Sequence, residues 1–136
     1  MEARQLYEDG YFRVTADDVA RVVRLVRSSR PFPTLEAVEK CFEAVAFSMI
    51  TIPHGWALLV DSRAAPIRND DGFEEILSRA RARIVARFGC AAVLVASDLG
   101  KLQVARYGRE DSRSPRVFRD EAEAMAYLAT HPRKRT

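Results

Sequence analysis

The sequence predicts an α/β protein of mixed α+β type. A four-to-five-stranded mixed sheet is covered by helices, in the order β-β-α-β-α-β-α-β-α. Three observations carry this expectation. The runs Trp56-Ala57-Leu58-Leu59-Val60 and Cys90-Ala91-Ala92-Val93-Leu94-Val95-Ala96 are apolar throughout, as strands covered on both faces are. The segments around them place apolar residues three and four positions apart, the helical period. A chain of 136 residues is one domain by size and buries a core without metal or disulfide staples.

Residues 1–9 are polar and are expected to form a loose lead-in to a domain spanning 10–130, followed by a basic tail at 131–136. Tyr11-Phe12-Arg13-Val14-Thr15 has the aromatic and β-branched content of a strand. Asp17-Asp18 turns the chain into Arg21-Val22-Val23-Arg24-Leu25-Val26-Arg27. There Val19, Val22, Val23 and Val26 also fit a helical stripe capped by an aspartate, but four valines favour a strand.

Pro31 and Pro33 break the pattern, and Thr34 then offers an N-cap with Glu36 in the first turn. Leu35, Val38, Phe42, Val45 and Met49 form one helical face, which Pro53-His54-Gly55 terminates before the first buried strand. The next helix carries Phe73, Ile76, Leu77, Ala80, Ile84 and Phe88, with Gly89 as its C′ residue. After the second buried strand a helix is expected over 99–109. Arg116-Val117-Phe118 is a short strand, and Asp120 caps a last helix presenting Ala124, Met125 and Leu128.

Composition narrows the function classes. The formal charge is +3, but Arg133, Lys134 and Arg135 sit together at the C-terminal end. Without them, 19 basic residues face 19 acidic ones, so the body carries no basic excess of the kind a nucleic-acid binder usually shows, and nucleic acid is a disfavoured partner. No apolar run reaches the length of a membrane helix, and the charged N-terminus lacks a signal core, so a cytoplasmic protein without membrane partner is expected. Cys41 and Cys90 lack metal-ligand spacing and read as buried, reduced thiols; no cofactor is implied.

The segment Asp61-Ser62-Arg63-Ala64-Ala65-Pro66-Ile67-Arg68-Asn69-Asp70-Asp71-Gly72 is the most informative. A strand ends in an acid, a short loop follows, and acids open a helix. This resembles the regulatory segment of STAS domains, the fold of the bacterial anti-sigma-factor antagonists. Those proteins carry Asp-Leu-Ser at the strand end and Asp-Ser-Ser-Gly at the start of the next helix, with a phosphorylatable serine there. Counted from Asp61, the matching four positions are Asn69-Asp70-Asp71-Gly72: the glycine matches and both serines are aspartates. The ending Arg116 to Leu128 is similar to the last strand and acid-capped, alanine-rich helix of the SpoIIAA-like branch.

The resemblance covers 10–130 and implies an initial hairpin, which makes 21–27 a strand. It implies a non-catalytic regulatory or protein–protein interaction module. The partner surface would comprise Asp61, Ser62, Asn69, Asp70, Asp71, Gly72, Ser97 and Asp98, with the switching serine replaced by permanent carboxylates. Aspartate carries less charge and fewer acceptors than phosphoserine, so the mimicry is partial. A plainer reading makes Asn69-Asp70-Asp71 only a helix cap.

Three rivals remain. A small-ligand or anion-binding domain would use the strand-end pocket, where open sheets bind ligands, together with nearby arginines. A receiver-like phosphoacceptor would use Asp61 and Asp98, but the first strand ends in Thr15-Ala16 without an acidic pair. Nucleophilic catalysis by Ser62, Ser97 or Cys41 lacks a base, since only His54 and His131 exist. The arginines at 79, 83 and 87, and at 106, 109 and 113, read as solvated faces balanced by neighbouring acids.

Overall fold

The computed structural model describes residues 3–66, 71–97 and 116–130. Its strands and helices are β1 (Arg4–Glu8), β2 (Phe12–Asp17), β3 (Val22–Arg27), α1 (Leu35–Ser48), β4 (Ala57–Asp61), α2 (Asp71–Val85), β5 (Cys90–Leu94), β6 (Arg116–Phe118) and α3 (Glu121–Thr130). The helix expected over 99–109 lies outside the described residues.

The six strands stand side by side in sequence order. β1–β2 and β2–β3 pair antiparallel; β3–β4, β4–β5 and β5–β6 pair parallel. The α/β class and the mixed sheet are as expected, but the strand count is higher. The extra strand, β1, forms from the expected lead-in. Its exposed, charged sequence Arg4-Gln5-Leu6-Tyr7-Glu8 hides the pattern, and a bulge between Gln5 and Tyr7 shifts its register against β2.

The segment 22–27 is a strand. Asp17 Oδ1 accepts from the N–H groups of Val19 and Ala20, both at 3.0 Å, and Arg21 takes a left-handed φ of 59° to close the hairpin. From β3 onward each parallel connection needs a crossover. α1 and α2 cover one sheet face. Their Val38, Phe42, Val45, Phe73, Ala80 and Ile84 pack on Val14, Val23, Leu25, Leu58, Val60 and Val93. α3 covers the other face, burying Ala124 and Leu128 on Val22, Ala57, Leu59, Ala92 and Leu94. Strands β4 and β5 therefore lie between helices, which explains their unbroken apolarity.

Local chemistry sets the helix ends. Thr34 caps α1 by accepting from Ala37 N–H at 3.0 Å, as expected. α2 stops at Val85, earlier than the stripe to Phe88 implies, because Arg87 N–H and Phe88 N–H reach back only three residues, to Ile84 and Val85. Gly89 N–H then donates to Trp56 O at 2.8 Å, joining the helix end to the start of β4. Arg87 also departs from the expected solvated row. Its Nη2 donates to the carbonyls of Met49, Ile50 and Ile52 and so closes the end of α1. Asp120 Oδ2 accepts from Glu123 N–H at 3.3 Å to start α3.

Candidate functional site

Asp61 is the last residue of β4 and is 7% exposed. Strand alternation turns Ala57, Leu59 and Asp61 to the α3 face, where Arg24 of β3 and Glu121 of α3 also lie. Arg63, two residues beyond the strand, folds back on Asp61 with bonds of 2.9 Å from Nε and 2.7 Å from Nη2. Arg24 forks onto Glu121 at 3.0 and 2.8 Å. Arg63 Nη2 also reaches Glu121 at 3.0 Å, and Arg24 lies 3.5 Å from Asp61, which closes a ring of two acids and two bases.

The electrostatics follow from that ring. Burial alone would raise the pKa of Asp61, but the hydrogen bonds and charge of Arg63 and the charge of Arg24 hold it below the ordinary carboxylate value. The Arg24 hydrogen bonds, against some burial, hold Glu121 below its ordinary value as well. Paired in this way, Asp61 is a structural tie between β3, the loop after β4 and the start of α3. Its oxygens are engaged by guanidinium groups rather than presented as a phosphoacceptor.

Ser62 points the other way. Its N–H donates to Leu94 O at 2.9 Å, which extends the β4–β5 ladder by one bond. Ser62 lines a cavity of about 70 Å³ under α1 and α2, at the C-terminal ends of β3 and β4. Phenylalanines 12, 32, 42 and 73 form much of its wall, and Arg27 and Arg81 also line it. The register Phe12↔Arg27 puts Arg27 on the core side of the sheet, where it is only 8% exposed.

Of the other residues expected at the site, Asp71 opens α2 and Gly72 follows it, exposed. A Cβ at Gly72 would lie 2.9 Å from Leu35 Cδ1, so the start of α2 sits close against the first turn of α1. Ser97 is half-buried just past β5. Asn69, Asp70 and Asp98 lie outside the described residues, as do Arg106, Arg109 and Arg113.

Trp56 is core, as read, and not a binding platform. Cys41 is buried and Cys90 half-buried, and neither forms a disulfide with the other. Cys41 Sγ donates to Asp9 Oδ2 at 3.2 Å, and Tyr7 hydroxyl donates to the same carboxylate. Asp9 Oδ1 accepts from Tyr11 N–H and Phe12 N–H at 2.7 and 2.8 Å. Arg79 and Arg83 line a groove of about 260 Å³ with Glu39 and Glu43, so charge is balanced across the α1–α2 pair.

Two features of the site escaped the sequence reading. The ring around Asp61 is closed by the pairing of Arg24 with Glu121, 97 positions apart, which no local pattern reports. Arg27 carried a signal: residues 23, 25 and 27 share one face of β3, so a charge at 27 falls on the core side of an apolar strand.

Among the described residues no helix is long and apolar enough to cross a membrane. Comparison with protein-family models, with curated proteins and with solved structures gave no match for this chain.

Proposed function

We propose that this chain is a non-catalytic regulatory module that acts by protein–protein contact at the edge formed by the C-terminal ends of β4 and β5. The reading rests on the sequence resemblance to anti-sigma-factor antagonists, to which the β2–β3 hairpin and the β/α alternation after it give support. The observation that carries it is the ring of Asp61, Arg24, Arg63 and Glu121, which ties the loop after β4 to β3 and α3. A binding edge held in one geometry loses little entropy on association. At the position of the family's phosphorylatable serine stands Asp71, so the module is held in one state instead of being switched. Affinity capture from the native host with wild type and an Asp70→Arg, Asp71→Arg double variant tests this. A specific partner lost in the variant supports the proposal, and a partner retained by both moves the surface elsewhere. Phosphorylation found at Ser62 or Ser97 would overturn the constitutive state.

A second reading, a small-anion site at the strand ends, is favoured by one observation. The cavity beside Ser62 has a buried arginine in its wall.

A further inference from the structure

Two charged residues are buried among the described residues, Asp61 and Arg27. Asp61 has cationic partners, whereas Arg27 has no carboxylate within ion-pair distance among the described residues. Its Nη1 donates to Ser28 O at 2.7 Å. Its guanidinium carbon sits 4.3 Å from the centroid of the Phe32 ring and 5.7 Å from that of Phe12. Aromatic faces stabilise the cation, but they do not satisfy its remaining N–H donors. Nε and Nη2 make no hydrogen bond to any described residue.

An arginine cannot escape by losing its proton, so a buried guanidinium without a counter-charge is costly. Desolvation does push its pKa down, opposed by the charges of Cys41, Tyr11 and Asp9. The unused Nε–Nη2 edge has the spacing of a carboxylate, which it takes through two parallel bonds. Arg27 lines the cavity under α1 and α2, and the half-buried hydroxyl of Ser62 lines it too, without a hydrogen bond to any described residue. The remaining wall is largely aliphatic and aromatic.

Building on the small-anion reading, we propose that this cavity is the receptor site of a short monocarboxylic acid. Its carboxylate forks onto Arg27 and its apolar body packs against Phe42, Phe73 and Leu77. A void of about 70 Å³ is near the volume of two waters, so the acid is compact, with about two or three carbons. A phosphate dianion fits poorly, because apart from Arg27, Arg81 and Ser62 the wall is apolar and offers its oxygens no further donors. Ser62 and Ala65, both in the cavity wall, belong to the loop that leads to the proposed partner edge, so occupancy bears directly on that edge.

Titration calorimetry and thermal unfolding with propionate, propionamide and inorganic phosphate, supplemented by acetate, test the proposal. Saturable binding of at least one acid is expected, with no response to the amide or to phosphate. Arg27→Gln is expected to weaken acid binding by on the order of tenfold or more. Leu77→Trp, which fills the cavity and keeps Arg27, is expected to abolish it and serves alone if the first variant does not fold. Phosphate binding that needs Arg27, without a response to any acid, overturns the monocarboxylate and leaves an anion site standing. No binding of any probe at millimolar concentration overturns both. Acid binding unchanged in Arg27→Gln or Leu77→Trp also overturns the proposal.

Discussion

Arg24 in β3 and Glu121 at the first turn of α3 are joined by a two-pronged ion pair, 3.0 and 2.8 Å, across 97 positions of sequence. The pair does not stand alone, since Arg63 bridges it to Asp61. The side chain of Asp61 is 10% exposed and that of Glu121 is 41% exposed, so the two acids contribute differently. Removing the buried acid leaves two cations poorly compensated, whereas removing the exposed one leaves water to take its place. Asp61→Ala is expected to lower stability by about 2–3 kcal/mol, below the fully buried range because both arginines are partly exposed. Glu121→Ala is expected to cost about 0.5–1 kcal/mol. Urea unfolding of both variants checks the order, and equal losses would contradict the burial argument.

Acid should dissolve the same ring. Asp61 and Glu121 are held below their ordinary values of 3.8 and 4.5, so the folded state binds fewer protons than the unfolded chain. A depressed carboxylate contributes stability that is complete above the unfolded value and is lost as pH falls through the folded one. Stability is therefore expected to be flat near neutrality and to fall below about pH 4. Asp9, whose burial is outweighed by hydrogen bonds from Tyr7, Phe12, Tyr11 and Cys41, adds to the same loss. Urea midpoints measured through that window should show a shallower acid slope for Asp61→Asn than for wild type. An unchanged slope would mean that the ring does not couple to folding.

The fold was legible where burial is two-sided. β4 and β5 read as strands because helices cover both faces, and α1 and α2 read as helices because each buries one stripe. β1 was not legible, since it is an edge strand paired only with β2 and its residues serve solvent as much as core. The end of α2 was misplaced because Phe88 continues the apolar stripe while the backbone has already tightened around Ile84 and Val85. At the site, the strand-end acid could be found from Asp61 alone. Its ring could not, because Arg24 and Glu121 meet only through the return of α3 across the sheet. Arg27 could have been found by applying strand alternation through Val23 and Leu25, which puts its side chain on the core face.

The two cysteines are expected to differ in reactivity. Cys41 is pushed up to about 12 by burial and then by its hydrogen bond to the negatively charged Asp9, with Arg27 opposing. Its thiol therefore stays protonated near neutrality, and a protonated buried thiol is a poor nucleophile. Cys90 is only half-buried. Alkylation of the native protein at about pH 8, followed by peptide mass analysis, should modify Cys90 first and Cys41 only on unfolding. Cys41→Ala removes one of the donors on Asp9 and is expected to cost about 1–2 kcal/mol. Rapid native labelling of Cys41 would mean that the Asp9 cluster opens readily.

Two glycines separate backbone need from recognition. Gly55 has a φ of 94°, in the left-handed region, within the Pro53-His54-Gly55 turn that leads into β4. A side chain there is strained whatever the space, so Gly55→Ala is expected to cost about 1–2 kcal/mol. Gly72, which the proposed regulatory reading places at the contact edge, is helical and meets only the flexible end of the Leu35 side chain, a residue 36% exposed. Rotation of Leu35 admits a methyl group, and alanine gains up to about 1 kcal/mol of helix propensity over glycine. Gly72→Ala is therefore expected to be neutral or slightly stabilising in thermal unfolding. If the same variant loses the partner captured by wild type, Gly72 serves recognition and not folding. A clear loss of stability would instead make the close approach of α1 and α2 the reason for the glycine.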